Sequence, residues 1–209
     1  MTTLILRPNG DNTIALSRST GSYNYACVDE SSADDADYVN AFASNGVSTA
    51  TDKYNFPDHS AESGTINSVK LYARCKYEVL GGVVSGYVKL NATSGTAGTQ
   101  QNLTTSWAVY TQTWTTNPDD SAAWEWSDID ALIAGITLNM SALDKGNTGN
   151  SYCSQFYVEV DYTAPTGWAN IKNIRAGTGS ITATDVESIW FGTSQVLTSD
   201  FDQFNGATV

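Results

Sequence analysis

Ser106 to Gly135, SWAVYTQTWTTNPDDSAAWEWSDIDALIAG, holds Trp107, Trp114, Trp124 and Trp126, four of the six tryptophans of the chain. It begins in one periodicity and ends in another. Trp107, Val109, Thr111 and Thr113 alternate with Ala108, Tyr110, Gln112 and Trp114, the period-two pattern of a pleated strand. Asn117-Pro118 stops that strand, because a residue before proline is pushed out of the helical region, and Asp119-Asp120-Ser121 continues as a turn. Ser127 then reads as the cap of a short helix with Asp128 and Asp130 in its first turn. Ile129, Leu132 and Ile133 form its apolar stripe, and Gly135 closes it.

Working outward, strand signals dominate. Thr65–Leu80 sets Val69, Leu71, Ala73, Cys75 and Tyr77 against Lys70, Tyr72, Arg74, Lys76 and Glu78, one side for a core and the other for water. Gly81-Gly82 reads as a hairpin turn, with Val83–Leu90 returning beside the first strand. Ser48–Phe56 reads as an edge or two-sided strand, and Thr3–Arg7, Tyr23–Val28, Tyr38–Phe42 and Ile136–Met140 are shorter strands. In the last one, Tyr152–Tyr162, Tyr152, Ser154, Phe156, Val158 and Val160 alternate strictly with Cys153, Gln155, Tyr157, Glu159 and Asp161. About nine strands result. The reading is an all-β fold: a jelly-roll type two-sheet sandwich over residues 1–163 with one short crossover helix, then a linker over 164–167.

Beyond the linker the pattern changes. Residues 168–209 repeat every fifteen positions, as Asn170-Ile171-Lys172-Asn173-Ile174, Asp185-Val186-Glu187-Ser188-Ile189 and Asp200-Phe201-Asp202-Gln203-Phe204 show. Each unit predicts a short helical turn, a glycine and an extended piece. Such units bury little alone, so Ile171, Ile174, Val186, Ile189, Trp190, Phe191, Phe201 and Phe204 are expected at an assembly interface, with a homo-oligomer as the outcome.

Charge narrows the partners. With 10 basic against 22 acidic residues and a formal charge of −12, neither a nucleic-acid backbone nor an anionic membrane is an expected partner. Cys27, Cys75 and Cys153 have no metal-binding spacing, sit in strand-like runs, and read as small buried residues, with one disulfide left open. The single histidine, His59, lies in a loop and reads as a surface residue. The run DESSADDAD places Asp29, Glu30, Asp34, Asp35 and Asp37 close together. A solvated loop is the preferred reading and a structural calcium the alternative, without the spacing of an EF-hand. No other cofactor is implied. No hydrolase or nucleotide-binding motif occurs, so the chain is not expected to be an enzyme.

TLILRPNGDNTIALSRSTGSYNYACVDESSADDADYV, together with AWEWSDIDALIAGI and QFYVEVDYT, resembles a group of phage and prophage-like virion proteins, and the C-terminal units resemble small modules that close many phage structural proteins. The resemblance rests on structural residues and carries no catalytic residue across. It implies a capsid decoration or other particle-surface protein, joined to capsid or other virion proteins through its C-terminal module. With no basic signal segment at the N-terminus, synthesis in the host cytoplasm and residence on the virion surface follow as expectations. The alternative is a carbohydrate-binding module or receptor-binding fibre component, in which Trp114, Trp124 and Trp126 and the loop around Asn117 and Asp119 form an aromatic platform for glycan. Against it, Trp124 and Trp126 immediately precede the helix, which favours packing for at least one of them.

Overall fold

The computed structural model describes residues 2–92 and 97–165, together with the backbone of 189–191 and 194–196. The chain divides into two units, 1–165 and 166–209. The first is an all-β sandwich of two antiparallel sheets with one short helix, of jelly-roll type. Its strands are β1 (Thr2–Leu6), β2 (Gly10–Thr13), β3 (Ser17–Arg18), β4 (Val39–Ser44), β5 (Gly46–Asn55), β6 (Thr65–Gly81), β7 (Ser85–Asn91), β8 (Gln101–Asn102), β9 (Ala108–Trp114), β10 (Ile133–Ala142) and β11 (Thr148–Thr163). The helix α1 spans Trp126–Asp130. One sheet runs β3-β4-β11-β6-β9 with β1 also on β11, and the other runs β2-β5-β10-β7-β8. Between them lies one main core in which Tyr54, Phe156, Leu71, Leu90, Ile129, Ile136 and Leu138 are fully buried. No helix among the described residues is long and apolar enough to cross a membrane.

Strand β6 alternates as its sequence predicts, with Val69, Leu71, Ala73 and Cys75 at most 1% exposed. Strand β11 does not keep the strict alternation. Between Cys153 and Gln155 its register against β6 slips by one residue, so that Cys153 pairs with Cys75 and Phe156 with Ala73. Ser154 is the extra residue of this bulge, and Cys153 therefore turns inward with Phe156, Val158 and Val160. The three cysteines are free and buried.

Gly81-Gly82 does not make a hairpin. Strand β7 leaves the sheet of β6 and pairs with β10 and β8 in the other sheet. Gly82 has φ +69°, and a Cβ there would collide with the side chain of Asn147, whose amide donates to the Val83 carbonyl at 2.6 Å. The crossing is thus locked by a neighbouring loop, which a local turn signal does not reveal. Likewise β5 is an interior strand, flanked by β2 and β10. The segment predicted as a strand over Tyr23–Val28 contains a 3-10 turn at Tyr25–Cys27, because the Asp11 carboxylate accepts the N–H groups of Asn24 and Tyr25 at 3.0 and 2.7 Å.

The helix is also shorter than predicted. It is capped by Glu125 and Asp128 in a reciprocal capping box and ends at Asp130, while Gly135 lies inside β10. A Cβ on Gly135 would sit 2.0 Å from the Asp52 carbonyl oxygen, so glycine here permits close strand approach rather than ending a helix.

In the second unit, β12 (Ile189–Phe191) pairs antiparallel with β13 (Ser194–Val196). Ile189 opens a strand instead of closing a helical turn. Of the expected assembly residues, Ile171, Ile174, Val186, Phe201 and Phe204 lie outside the described residues, and Trp190 and Phe191 are described as strand backbone alone.

Candidate functional site

The three tryptophans expected to form a glycan platform do not present free rings together. Trp124 is 4% exposed, and its indole N–H donates to the Trp114 carbonyl at 3.2 Å. Trp126 donates to the Gly64 carbonyl at 2.9 Å, meets Tyr162 edge-on at 5.1 Å and lies 4.9 Å from the ring of His59. Trp114 pairs with Val69 and so shares the inward side of its sheet, packed against the core. A shallow cleft of about 130 Å³ does form beside Trp124, with Asn117, Asp119 and Asp128 among its walls. These polar groups also build the chain itself: the Asn117 side chain accepts the N–H of Asp119, and Asp128 accepts the N–H of Glu125.

His59 is not a bare loop residue. Its Nδ1 lies 2.6 Å from Asp130 Oδ1, and its backbone N–H donates to the same oxygen, so the loop before β6 is tied to α1. The carboxyl of Asp130 is held below its ordinary value by these bonds.

The acidic run does not assemble into a cation site. Among the described residues no group of three or more His, Cys, Asp or Glu is arranged to hold a metal. Asp35 takes both prongs of the Arg74 guanidinium at 2.8 Å and a bond from Ser154, and Arg74 holds its carboxyl below the usual range. Asp37 accepts from Ser19 and Thr20, and Asp34 accepts the N–H of Ala36. Glu30 keeps one carboxylate oxygen buried with no hydrogen-bond partner. Burial, followed by the charges of Asp29, Asp37 and Asp34, raises its pKa to about 7. Asp34, Asp35 and Asp37 thus each serve a different protein partner.

Two faces of the sandwich look away from the core, and they differ in chemistry. On the sheet containing β6, the outward row carries stacked Tyr72 and Tyr157, with ring centroids 4.6 Å apart and planes 8° apart. Arg7 lies over Tyr157 at 5.4 Å and Lys70 over Tyr72 at 4.6 Å, so cations close both ends of the stack. Trp107 is met by Lys76 at 5.0 Å and by Arg74 at 5.8 Å. Acids are matched to these groups: Tyr72 donates to Glu159, Tyr152 donates to Glu78, and Asp35 pairs with Arg74. Most of its charged groups are matched within the face, while Asp161 on β11 keeps one buried carboxylate oxygen without a hydrogen-bond partner.

The outward face of the other sheet is built from amides and hydroxyls. Registers across β5, β10 and β7 set out three rows: Lys53–Gly135–Asn91, Thr51–Thr137–Lys89, and Thr49–Asn139–Tyr87, the last extended to Asn102 on β8. Asn55 on β5 continues the face beside Asn12 of β2, whose amide donates to it at 3.1 Å. Thr51 and Thr137 share a hydrogen bond of 2.7 Å, Asn91 donates to Thr137 at 3.1 Å, and Asn139 donates to Thr49 at 2.8 Å. Asn91 and Asn139 are each 5% exposed and so are held in place. Lys89 lies 5.8 Å from the centroid of Tyr87. The register places no carboxylate at the outward positions of these rows, since Asp52 between them points into the core. No tryptophan marks this face, and its residues come from five separated segments, so no single stretch of sequence announces it.

No family model and no curated protein matches the sequence. Solved structures similar to the chain include one titled "CBM4 structure and function", with a TM-score of 0.36 and 13% identity over 76% of this chain and 94% of that one. Another is TmCBM61 in complex with β-1,4-galactotriose, at 0.35 and 9% over 75% and 86%. A third is the C-terminal CBM6 of LamC from Zobellia galactanivorans, at 0.35 and 11% over 77% and 100%. Scores this low assign neither a ligand nor a residue to the chain.

Proposed function

We propose that the sandwich is a non-catalytic glycan-binding module whose ligand lies across the outward face of β5, β10, β7 and β8. The observation that carries this reading is the amide and hydroxyl array of Asn55, Asn91, Asn102 and Asn139 with Thr49, Thr51 and Thr137 around Tyr87. Asparagine is a poor strand residue, and here it gains no core packing in return. The Asn91 and Asn139 amides already donate to Thr137 and Thr49 and fix the face, so the exposed Asn102 amide is the group offered to the hydroxyls of a sugar, and Tyr87 offers an apolar ring for its C–H face. Anchored side chains lose little freedom on binding, which favours affinity. The test is a glycan array of the whole protein with Tyr87→Ala and Asn102→Ala. A hit weakened at least tenfold by these changes, at an unchanged melting temperature, supports the reading. A hit unaffected by both removes it.

A second reading, particle assembly as a virion component, is favoured by one feature. Val47 and Leu80, at the ends of β5 and β6, and Val83 and Leu143, on the loops beside them, are 53–80% exposed. Asn147 joins those loops, accepting from Asn45 through its carbonyl and donating to Val83. Apolar side chains gathered at one end suit a protein contact. Copurification of the protein with virions, lost in Val83→Ser with Leu143→Ser, would support this reading. Virions lacking the protein would remove it.

A further inference from the structure

We infer that Cys75 and Cys153 are an oxidisable pair, a modification site at which a small-molecule disulfide such as oxidised glutathione joins β6 to β11 by an internal disulfide while the chain folds. The two residues are direct partners across the antiparallel strands. Opposed residues of such a pair have Cα atoms about 4.5 to 5.5 Å apart, inside the span of roughly 4.4 to 6.8 Å that a disulfide bridges. Two thiols must also point the same way. The bulge at Ser154 turns Cys153 to the side that Cys75 occupies, and both residues belong to the core between the sheets at 0% exposure. Without the extra residue, Cys153 would fall on the outward side with Gln155 and Tyr157. Burial, and after it the contact with the Cys153 thiol, holds the Cys75 thiol well above its ordinary pKa, so the two sulfurs meet in the core. Cys27 is engaged elsewhere, its thiol donating to the carbonyls of Thr20 and Tyr23 at 3.5 and 3.8 Å.

The step balances with glutathione disulfide as the oxidant. The thiolate of one cysteine attacks a sulfur of the oxidant, the glutathione S–S bond breaks and one glutathione thiolate leaves. The thiolate of the other cysteine then attacks the protein sulfur of this mixed disulfide, forming the Cys75–Cys153 bond and releasing the second glutathione. Two electrons pass from the protein thiols to the oxidant, and the two protons end on the two glutathione molecules. Each attack needs a thiolate and an open approach. The folded core denies both, because neither sulfur meets solvent and burial keeps the proton on Cys75. The bond is therefore set as β6 and β11 pair and before the second sheet covers them, and the finished fold preserves whichever redox state it was given. Its partners stand 78 positions apart in sequence, so the bond closes a long loop of the unfolded chain and raises the melting temperature.

The whole protein is unfolded in urea with a reductant and refolded by dilution into a buffer of oxidised and reduced glutathione, beside a refolding under dithiothreitol, with Cys27→Ser treated alike. The products are denatured, alkylated and weighed by mass spectrometry, and the bond is located by peptide mapping. The expected result is that wild type and Cys27→Ser each lose two alkylatable thiols and join Cys75 to Cys153, and that the crosslinked form melts about 5 °C or more above the reduced one. Reduced protein that is already folded is expected to keep all its thiols in the same buffer. The same readout on protein made in reducing and in oxidising host cells serves where refolding from urea is incomplete. Free thiols throughout after oxidative folding, or a bond through Cys27, overturns the assignment. A crosslinked form that melts below the reduced one overturns the claim that the native register accommodates the bond, and oxidation of the folded protein as fast as during refolding overturns the dependence on folding.

Discussion

The Asn24 side-chain amide donates to Asp52 Oδ2 at 2.7 Å, and both residues are wholly buried. Asp52 Oδ1 also accepts the N–H groups of Ala15 and Leu16 at 2.7 and 2.8 Å, and Tyr54 donates to Oδ2 at 3.2 Å. One carboxylate on β5 thus anchors the chain between β2 and β3. Burial raises its pKa, and the bonds from Leu16, Asn24 and Ala15 oppose the rise. Asp52→Ala leaves at least two backbone donors without a partner, and a loss of about 3–5 kcal/mol is expected in urea unfolding. A loss below about 1 kcal/mol would mean that water replaces the carboxylate.

Glu30 predicts a pH dependence of definite sign. Its folded pKa is raised from 4.5 to about 7, with burial as the largest cause. The folded protein therefore holds this proton more tightly than the unfolded chain, and stability from Glu30 is fully present below about pH 4.5 and is lost as pH rises through 7. Other carboxylates, such as Asp35 with its depressed value, act in the opposite sense at lower pH. The test is the difference between wild type and Glu30→Gln in thermal melts from pH 5 to 8. The variant is expected to gain on the wild type as pH rises, and a pH-independent difference would rule out this role.

Trp124 is a packing residue with a polar tether, at 4% exposure and with its indole N–H bound to the Trp114 carbonyl. Trp124→Ala is expected to cost about 3–5 kcal/mol, the range for a buried aromatic removed from a core. Denaturant titration measures it. A near-neutral change would show that the ring is dispensable to the core and would reopen a role at the cleft beside Asn117.

Much of the sandwich is legible in the sequence because one side of each long strand is apolar. β6 shows it most plainly, since every second residue from Val69 to Cys75 meets the core. What escaped the sequence depends on partners far along the chain. The bulge at Ser154 is invisible because serine, glutamine and cysteine all suit either side of a strand, and the register against Cys75 decides which way they face. Gly81-Gly82 carries a turn signal, yet the strand after it pairs with β10, some fifty residues on. The tryptophans drew attention to the helix end, where they turned out to be packed. The polar face is assembled from asparagines and threonines that are unremarked in their own segments and meet only through sheet pairing.

The central claim concerns one face, and amide chemical-shift mapping tests it directly. Isotopically labelled protein is titrated with the best-bound glycan of the array, and perturbations are placed on the assigned backbone. Shifts concentrated at Thr51, Lys53, Tyr87, Lys89, Asn102, Thr137 and Asn139 are the expected result. Shifts concentrated instead at Trp107, Tyr72 and Tyr157, or at the cleft of Asn117 and Trp124, would contradict the assignment of the ligand to the outward face of β5, β10 and β7.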